Sequence, residues 1–356
     1  MHIHIVGARP NLMKAAPVVA ALRAHKAPPM LVHTGQHYDA AMSDIFFDQL
    51  GMPEPDRNLG VGSGSHARQT AALMLALEEL FLETSPERVV VYGDINSTLA
   101  AAVDASKLHI PIAHVEAGLR SFDRQMPEEV NRVVTDALSD LHFTTSPEAE
   151  DHLVREGIPG DGIHFVGNPM IDTLLRFRDV LDTEGAKSHF ELPDRYAVAT
   201  LHRPSNVDKR ESAANVVESL RRVADEVPIL LPLHPRGRGV LEEQGLLKVP
   251  SLRVVEPIGY LEFMALVSGA TLVLTDSGGI QEETTVLGIP CLTLRENTER
   301  PITVSIGTNR LVGNDPDEVE LAAKEFLDDP PRGRIPPLWD GKAGERIGSV
   351  LRSADA

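Results

Sequence analysis

The sequence predicts an α/β protein built from two parallel-sheet domains, and three observations carry that reading. At 356 residues the chain exceeds the size at which a single core usually stops growing. Short apolar runs alternate with helix-like stretches, which is the βαβ pattern of a parallel sheet. That pattern runs to about residue 167, pauses at the polar interval DTEGAKSHFELPD, and then starts again.

The strands of the first domain are HIHIVG, MLVHT, RVVVYG, IPIAHV, LHFTT and IHFVG, and those of the second are YAVATL, PILLPL, LRVV, TLVLT and PCLTL. Residues 1–167 are therefore expected to form one domain and residues 168–342 the other. The stretch AGERIGSVLRS, within 343–356, reads as a helix that packs back on the first. The proline-rich segment DDPPRGRIPP before it must be an irregular loop.

A hydrophobic content of 42% supports large cores, yet no apolar run approaches the roughly 18 residues that cross a bilayer. The N-terminus passes into a strand without a basic region or cleavage site, so a cytoplasmic protein without a membrane partner is expected. The single cysteine, Cys291, cannot form an internal disulfide, and its setting in IPCLTL reads as buried and structural. A formal charge of -18 argues against a nucleic-acid partner. It does not exclude a small anion, which responds to local arginines and helix ends because screening acts within roughly 8 Å.

In an open parallel sheet, ligands bind beyond the C-terminal ends of the strands. Here those ends read GARP, YGD and HVEAG in the first domain and LHRP, LHPR and TDSGG in the second. If the domains face one another, Arg9, Asp94, Glu116, His202, His234 and Ser277 converge on an interdomain cleft, although N-caps and salt bridges imitate part of such a set.

The segment TDSGGIQEETTVLGIP is the most telling. Residues 270 to 275 read as a buried strand, and Ile280, Thr284 and Leu287 follow at helical spacing, so Ser277, Gly278 and Gly279 form a strand-to-helix turn. Glycines there let a ligand approach backbone N–H groups at the positive end of the helix dipole, which suits phosphate. Taken alone, the segment is equally an ordinary tight turn followed by two dipole-stabilising glutamates.

The other candidates also have plain structural readings. Asp94 is placed to cap the helix INSTLAAAV, Glu128 to pair with Arg132 at i,i+4, His202 to be a buried hydrogen-bonded imidazole, and Phe263 to be core. GVGSGS mimics a dinucleotide loop, but PEPDRNL before it is no buried strand, so it reads as a loop ahead of a helix and no nicotinamide site is assigned. DPD at 315 to 317 reads as an N-cap with a first-turn proline. No metal is assigned there or at His2 and His4, which share one strand face without an obvious partner.

Taken together and in order, GARPNLMK, TGQHYD, YGDINSTLA, HVEAGLRS, PEEVNR, VGNPMID, TLHRP, TDSGGIQEE and RENTERP resemble the non-hydrolysing UDP-N-acetylglucosamine 2-epimerases along essentially the whole chain. The resemblance implies the GT-B architecture, two Rossmann-like domains with parallel sheets facing an interdomain cleft. It also implies a homodimer serving cell-surface polysaccharide biosynthesis. The implied reaction interconverts UDP-GlcNAc and UDP-ManNAc with no cofactor, by eliminating UDP to 2-acetamidoglucal and adding it back. That scheme needs a base and an acid on the two faces of C2 and a clamp for the departing UDP. By analogy Asp94 and Glu116 transfer protons, Glu128 supports them, and His202 attends the leaving diphosphate. Ser277, Gly278, Gly279 and Arg9 hold the diphosphate, an ionised Glu283 takes the ribose hydroxyls, and Phe263 lies near uracil. Lys14, Arg132, His234 and Arg300 complete the expected binding set.

Familiar members often carry Glu where GARPN has Asn11, and Arg-Glu where TLHRPSN has Pro204 and Ser205, which puts activation by a second UDP-GlcNAc in doubt. The rival readings are a GT-B glycosyltransferase, a hydrolysing epimerase, a catalytically silent UDP-sugar sensor, and an epimerase of another UDP-2-acetamido sugar.

Overall fold

The computed structural model describes residues 1–35, 51–233 and 237–354, with the side chain of Arg9 outside that description. Two compact units emerge: Met1–Arg176 with Pro337–Ala356, and Phe177–Pro336. The first boundary lies one helix later than the sequence suggested, because the helix Pro169–Phe177 belongs almost wholly to the first unit. Its Asp172 accepts the Gly344 N–H at 2.7 Å, at the start of the C-terminal helix Ala343–Ser353. That helix lies close against the first helix, Arg9–Ala24. A Cβ on Gly344 would stand 2.6 Å from the Pro17 backbone, and one on Gly348 would stand 3.3 Å from Ala21 Cβ.

The first unit holds β1 (His2–Val6), β2 (Met30–His33), β3 (Arg57–Asn58), β4 (Arg88–Tyr92), β5 (Ile112–Ala117), β6 (Leu141–Thr144) and β7 (Ile163–Phe165), in the spatial order β3-β2-β1-β4-β5-β6-β7. The second holds β8 (Ala197–Thr200), β9 (Ile229–Pro232), β10 (Leu252–Val255), β11 (Leu272–Thr275), β12 (Cys291–Thr293) and β13 (Asn309–Leu311), in the order β10-β9-β8-β11-β12-β13. Among the described residues every strand pairing is parallel. The central strands are continuous apolar runs because helices cover both faces. Residues 89 to 92 in β4 and 272 to 274 in β11 are wholly buried.

The helix His66–Thr84 shows the packing logic. Leu73, Leu77, Leu80 and Phe81 recur at helical spacing and bury against Ile3, Ile5, Val89 and Val91. Each such side chain contributes about 1.5–3 kcal/mol through burial. In the second unit Val216, Leu220 and Val223 of the helix Arg210–Ala224 do the same against β8, β9 and β11.

Each sheet reverses its strand order once, between β1 and β4 in the first and between β8 and β11 in the second. These switch points open a crevice at the C-terminal strand ends, the place where such sheets take ligands. GVGSGS is a loop leading into a helix capped by Ser65, and Asp315 caps the helix Pro316–Asp328, accepting from Asp317 N at 2.9 Å. His4 has a partner the sequence did not reveal, since its Nδ1 lies 2.6 Å from Tyr92 Oη and burial pushes its pKa down to about 3.

Candidate active site

At the switch point of the first sheet, two carboxylates are each held by a buried cation. Glu116, 5% exposed at the end of β5, pairs with Lys14 from the first helix. Asp94, just beyond β4, takes Arg132 Nη2 at 2.6 Å. Glu116 occupies the left-handed region at φ 72, where β5 breaks register against β6. Such a conformation in a non-glycine residue costs about 1–3 kcal/mol and persists only when its surroundings enforce it. Gly93, at φ 63, gives the pair its room, for a Cβ there would stand 2.9 Å from Lys14 Nζ and 3.1 Å from Glu116 Oε2.

Three of the plain structural readings do not hold here. Asp94 is not the cap of its helix, since Asn96–Lys107 is preceded by Ile95 as N-cap and the Asp94 side chain turns to Arg132. Glu128 is half-buried, whereas its neighbour Glu129 is buried and pairs with Arg132 while accepting the N–H groups of Ser121 and Phe122 at 2.9 Å. Phe263 is half-buried on the helix Tyr260–Gly269 rather than in the core.

At the switch point of the second sheet, Asp276 joins the two central strands. Wholly buried after β11, it accepts the backbone N–H of His202 at 3.1 Å and of Arg203 at 3.0 Å, both beyond β8, and meets His202 Nδ1 at 2.8 Å. Burial alone would raise the Asp276 pKa, but these partners outweigh it and hold the carboxylate below its usual range. His202 is thus hydrogen-bonded as expected, yet its side chain is 52% exposed rather than buried.

The turn after Asp276 is a helix N-terminus, with Ser277 as N-cap of Gly278–Leu287 and no hydrogen bond from its side chain to the helix. A Cβ on Gly278 would stand 2.4 Å from Arg300 Nη1, so the absent side chain lets a guanidinium lie beside that end of the helix. Arg300 meets Glu299 at 2.6 Å and Glu282 at 2.9 Å. Buried Glu299 also binds Arg295 at 2.7 Å and Arg203 at 3.3 Å, and the arginines overcome the effect of burial to keep it well below its usual pKa.

One expectation about charge meets an opposing environment. Glu283 is buried beside Glu282, and its hydrogen-bond partner is the hydroxyl of Tyr260, 2.8 Å from Oε1. Burial pushes its pKa up to about 8 despite that bond, which favours the protonated form near neutral pH. His234, residues 36–39 of TGQHYD and the side chain of Arg9 lie outside the described residues.

The sequence profile described as UDP-N-acetylglucosamine 2-epimerase matches residues 20–352. The chain belongs to the UDP-N-acetylglucosamine 2-epimerase family. Members of this family are isomerases. The chain is 43% identical to the UDP-N-acetylglucosamine 2-epimerase of Methanocaldococcus jannaschii, covering 98% of this chain and 97% of that one. It is equally 43% identical to the UDP-2,3-diacetamido-2,3-dideoxy-D-glucuronate 2-epimerase of Pseudomonas aeruginosa, over 98% of both chains. A crystal structure of the Methanocaldococcus jannaschii UDP-GlcNAc 2-epimerase in complex with UDP-GlcNAc and UDP superposes with a TM-score of 0.92 at 42% identity, covering 99% of this chain and 100% of that one.

Against the pattern expected for UDP-N-acetylglucosamine 2-epimerases, the departures at Asn11 and Pro204 have structural uses. Asn11 accepts the Ala8 N–H at 3.1 Å and donates to the Tyr92 carbonyl at 2.8 Å, tying the turn after β1 to β4. Pro204 opens a short helix, from which Asn206 donates to Asp276 at 3.2 Å and to the Leu294 carbonyl at 2.9 Å. Sequence reasoning passed over Asp276, Glu129, Glu299 and Gly93 as site residues. Gly93 and Asp276 stand at strand ends, Glu129 in the first turn of the helix Pro127–Leu138 and Glu299 in the loop after β12, each beside residues with more conspicuous chemistry.

Proposed function

We propose that this isomerase interconverts UDP-GlcNAc and UDP-ManNAc by eliminating UDP and adding it back. The observation that carries the proposal is the pair of carboxylates at the first switch point, Glu116 beside Lys14 and Asp94 beside Arg132. Proton transfer to a defined face of C2 requires acids held in one place, and salt bridges to buried cations hold them.

In the forward direction one carboxylate takes the C2 proton, the C2–H electrons become the C1–C2 double bond, and the C1–O bond breaks to release UDP. The other acid protonates C2 from the opposite face as a UDP oxygen rejoins C1. Asp94 and Glu116 are the proton-transfer pair, and Glu128 supports them. His202, oriented by Asp276, attends the departing diphosphate. Ser277, Gly278, Gly279, Arg9 and Arg300 hold that diphosphate, Phe263 faces uracil, and Glu283 meets the ribose. A protonated Glu283 donates one hydrogen bond and accepts another, so it serves a pair of hydroxyls without being ionised. Lys14, Arg132 and His234 complete the grip. The same reading keeps the protein a cytoplasmic homodimer that needs no added cofactor.

Heavy water tests the reaction. Purified protein with UDP-GlcNAc alone is expected to yield UDP-ManNAc carrying deuterium at C2. Retention of the original hydrogen at C2 overturns the elimination route, free sugar indicates hydrolysis, and untouched C2 points to a glycosyltransferase or a sensor. A second reading, epimerisation of a 2,3-diacetamido uronate, is favoured by the Pseudomonas relative, whose identity equals that of the archaeal one. The ratio of kcat/KM for the two UDP-sugars decides between them.

A further inference from the structure

Two residues before Glu116 on β5, His114 is wholly buried. Its Nδ1 lies 2.6 Å from Oδ1 of Asp136, and its Nε2 lies 2.8 Å from the carbonyl oxygen of Gly93. A carbonyl only accepts. Asp136 also accepts here, because Arg120 holds its other oxygen at 2.7 Å and the Gly118 N–H reaches that oxygen at 3.1 Å. A ring with a hydrogen on one nitrogen satisfies one of these acceptors and turns a lone pair on the other, whereas the imidazolium satisfies both. The charge is matched locally. Arg120 forks onto Glu156 at 2.8 and 2.5 Å, so His114, Asp136, Arg120 and Glu156 form a row of alternating sign.

This row ends on the backbone that carries Asp94. Gly93 donates its N–H to Val115 O at 3.0 Å and offers its carbonyl to His114, so both of its polar groups are tied to β5. The next carbonyl, that of Asp94, accepts from Asn131 Nδ2 at 2.8 Å. We propose that His114 is a positioning residue, an imidazolium whose Nε2–H fixes the Gly93–Asp94 peptide against β5 and so sets where Asp94 stands relative to Glu116. The proposal rests on the reading of those two acids as the proton-transfer pair. Hydrophobic packing would keep a residue buried here, but it would not require a donor aimed at a catalytic turn.

Two amides separate the two contacts. The amide nitrogen of His114→Asn falls near the Nδ1 position and keeps Asp136, while that of His114→Gln falls near Nε2 and keeps Gly93. His114→Asn is expected to lower kcat for C2 epimerisation about 10- to 100-fold, the scale of a misplacement near 1 Å, with KM for the UDP-sugar within about twofold of wild type. His114→Gln is expected to retain most of kcat. Wild-type kcat in His114→Asn, or equal loss in both variants, overturns the positioning role.

A second measurement does not depend on turnover or on any variant folding well. In the whole protein labelled with 15N-histidine, the buried ring of His114 is expected to show a hydrogen bonded to each nitrogen at the assay pH. A spectrum with one bare ring nitrogen overturns the imidazolium. Should the wild type fail to epimerise either UDP-sugar, the functional reading falls while this spectrum still decides the His114 arrangement.

Discussion

At the first switch point the side chains beyond the strand ends are acids tied down by Lys14 and Arg132, whereas at the second they are His202, Ser277 and a group of arginines gathered on Glu299. The topology is alike in the two sheets, with a parallel order reversed once beside the first strand of each unit. The residues set on that topology differ. A shared crevice geometry therefore says where a ligand goes, and the residues placed on it say what is done there. On this view the first unit performs proton transfer and the second supplies most of the grip on the anion, so lesions at the acids and at the Ser277 turn should separate kcat from affinity.

The largest separation is expected from the acids. Asp94→Asn and Glu116→Gln should each lower kcat by at least about 100-fold, the lower end for losing a positioned acid or base, while UDP binding by calorimetry stays near wild type. Full turnover in both variants would remove the first unit's assigned role.

The glycines sharpen the same contrast. Gly93→Ala forces a Cβ among Lys14 and Glu116 at a positive φ, so activity should collapse and stability should fall by about 1–3 kcal/mol, with UDP affinity little changed. Gly278→Ala drives a Cβ into Arg300 and Glu299, whose salt bridges leave the guanidinium little freedom to move. It should raise the Kd for UDP about tenfold or more. If Gly93→Ala weakened UDP as much as Gly278→Ala does, the division between the units would not hold.

How much of this was legible beforehand depended on whether the signal was local. Continuous apolar strands, the Ser277 turn, the Asp315 cap and the buried Cys291 are encoded over a few adjacent residues, and they were readable. Two strands were not, because Arg57–Asn58 and Asn309–Leu311 are too short and polar to stand out. The roles of Asp276 and His114 depend on partners 74 and 21 residues away, brought close only by parallel pairing. Glu128 and Glu129 are adjacent and identical in type, and only burial distinguishes the one that pins the loop at Ser121. The raised pKa of Glu283 escaped notice because it depends on the absence of a nearby cation, among the described residues, for a wholly buried carboxyl.

That carboxyl supplies a smaller prediction. With a folded pKa of about 8 against an ordinary value of 4.5, the folded state binds more protons than the unfolded state between those limits. Stability should therefore fall as pH rises from about 4.5 to 8, by on the order of 1 kcal/mol per pH unit at most, and level off above. Glu283→Gln should remove this component from denaturation curves measured across that range, and an unchanged slope would show that Glu283 is ionised. The smallest effect is expected at Cys291, whose thiol is pushed up to about 12 by burial. A thiol reagent at neutral pH should leave it unmodified until the protein unfolds.

The closing helix Ala343–Ser353 has a consequence for how the protein is made. As the chain emerges from the ribosome, every residue of the second unit, Phe177–Pro336, is available before the final twenty positions that complete the first. The usual order of co-translational folding, N-terminal domain before C-terminal, is thereby opposed. Protein truncated after residue 336 should therefore protect the second unit from protease while the surface around Pro17 and Ala21 lacks its cover, so the unit that carries Asp94 and Glu116 is the last to be finished.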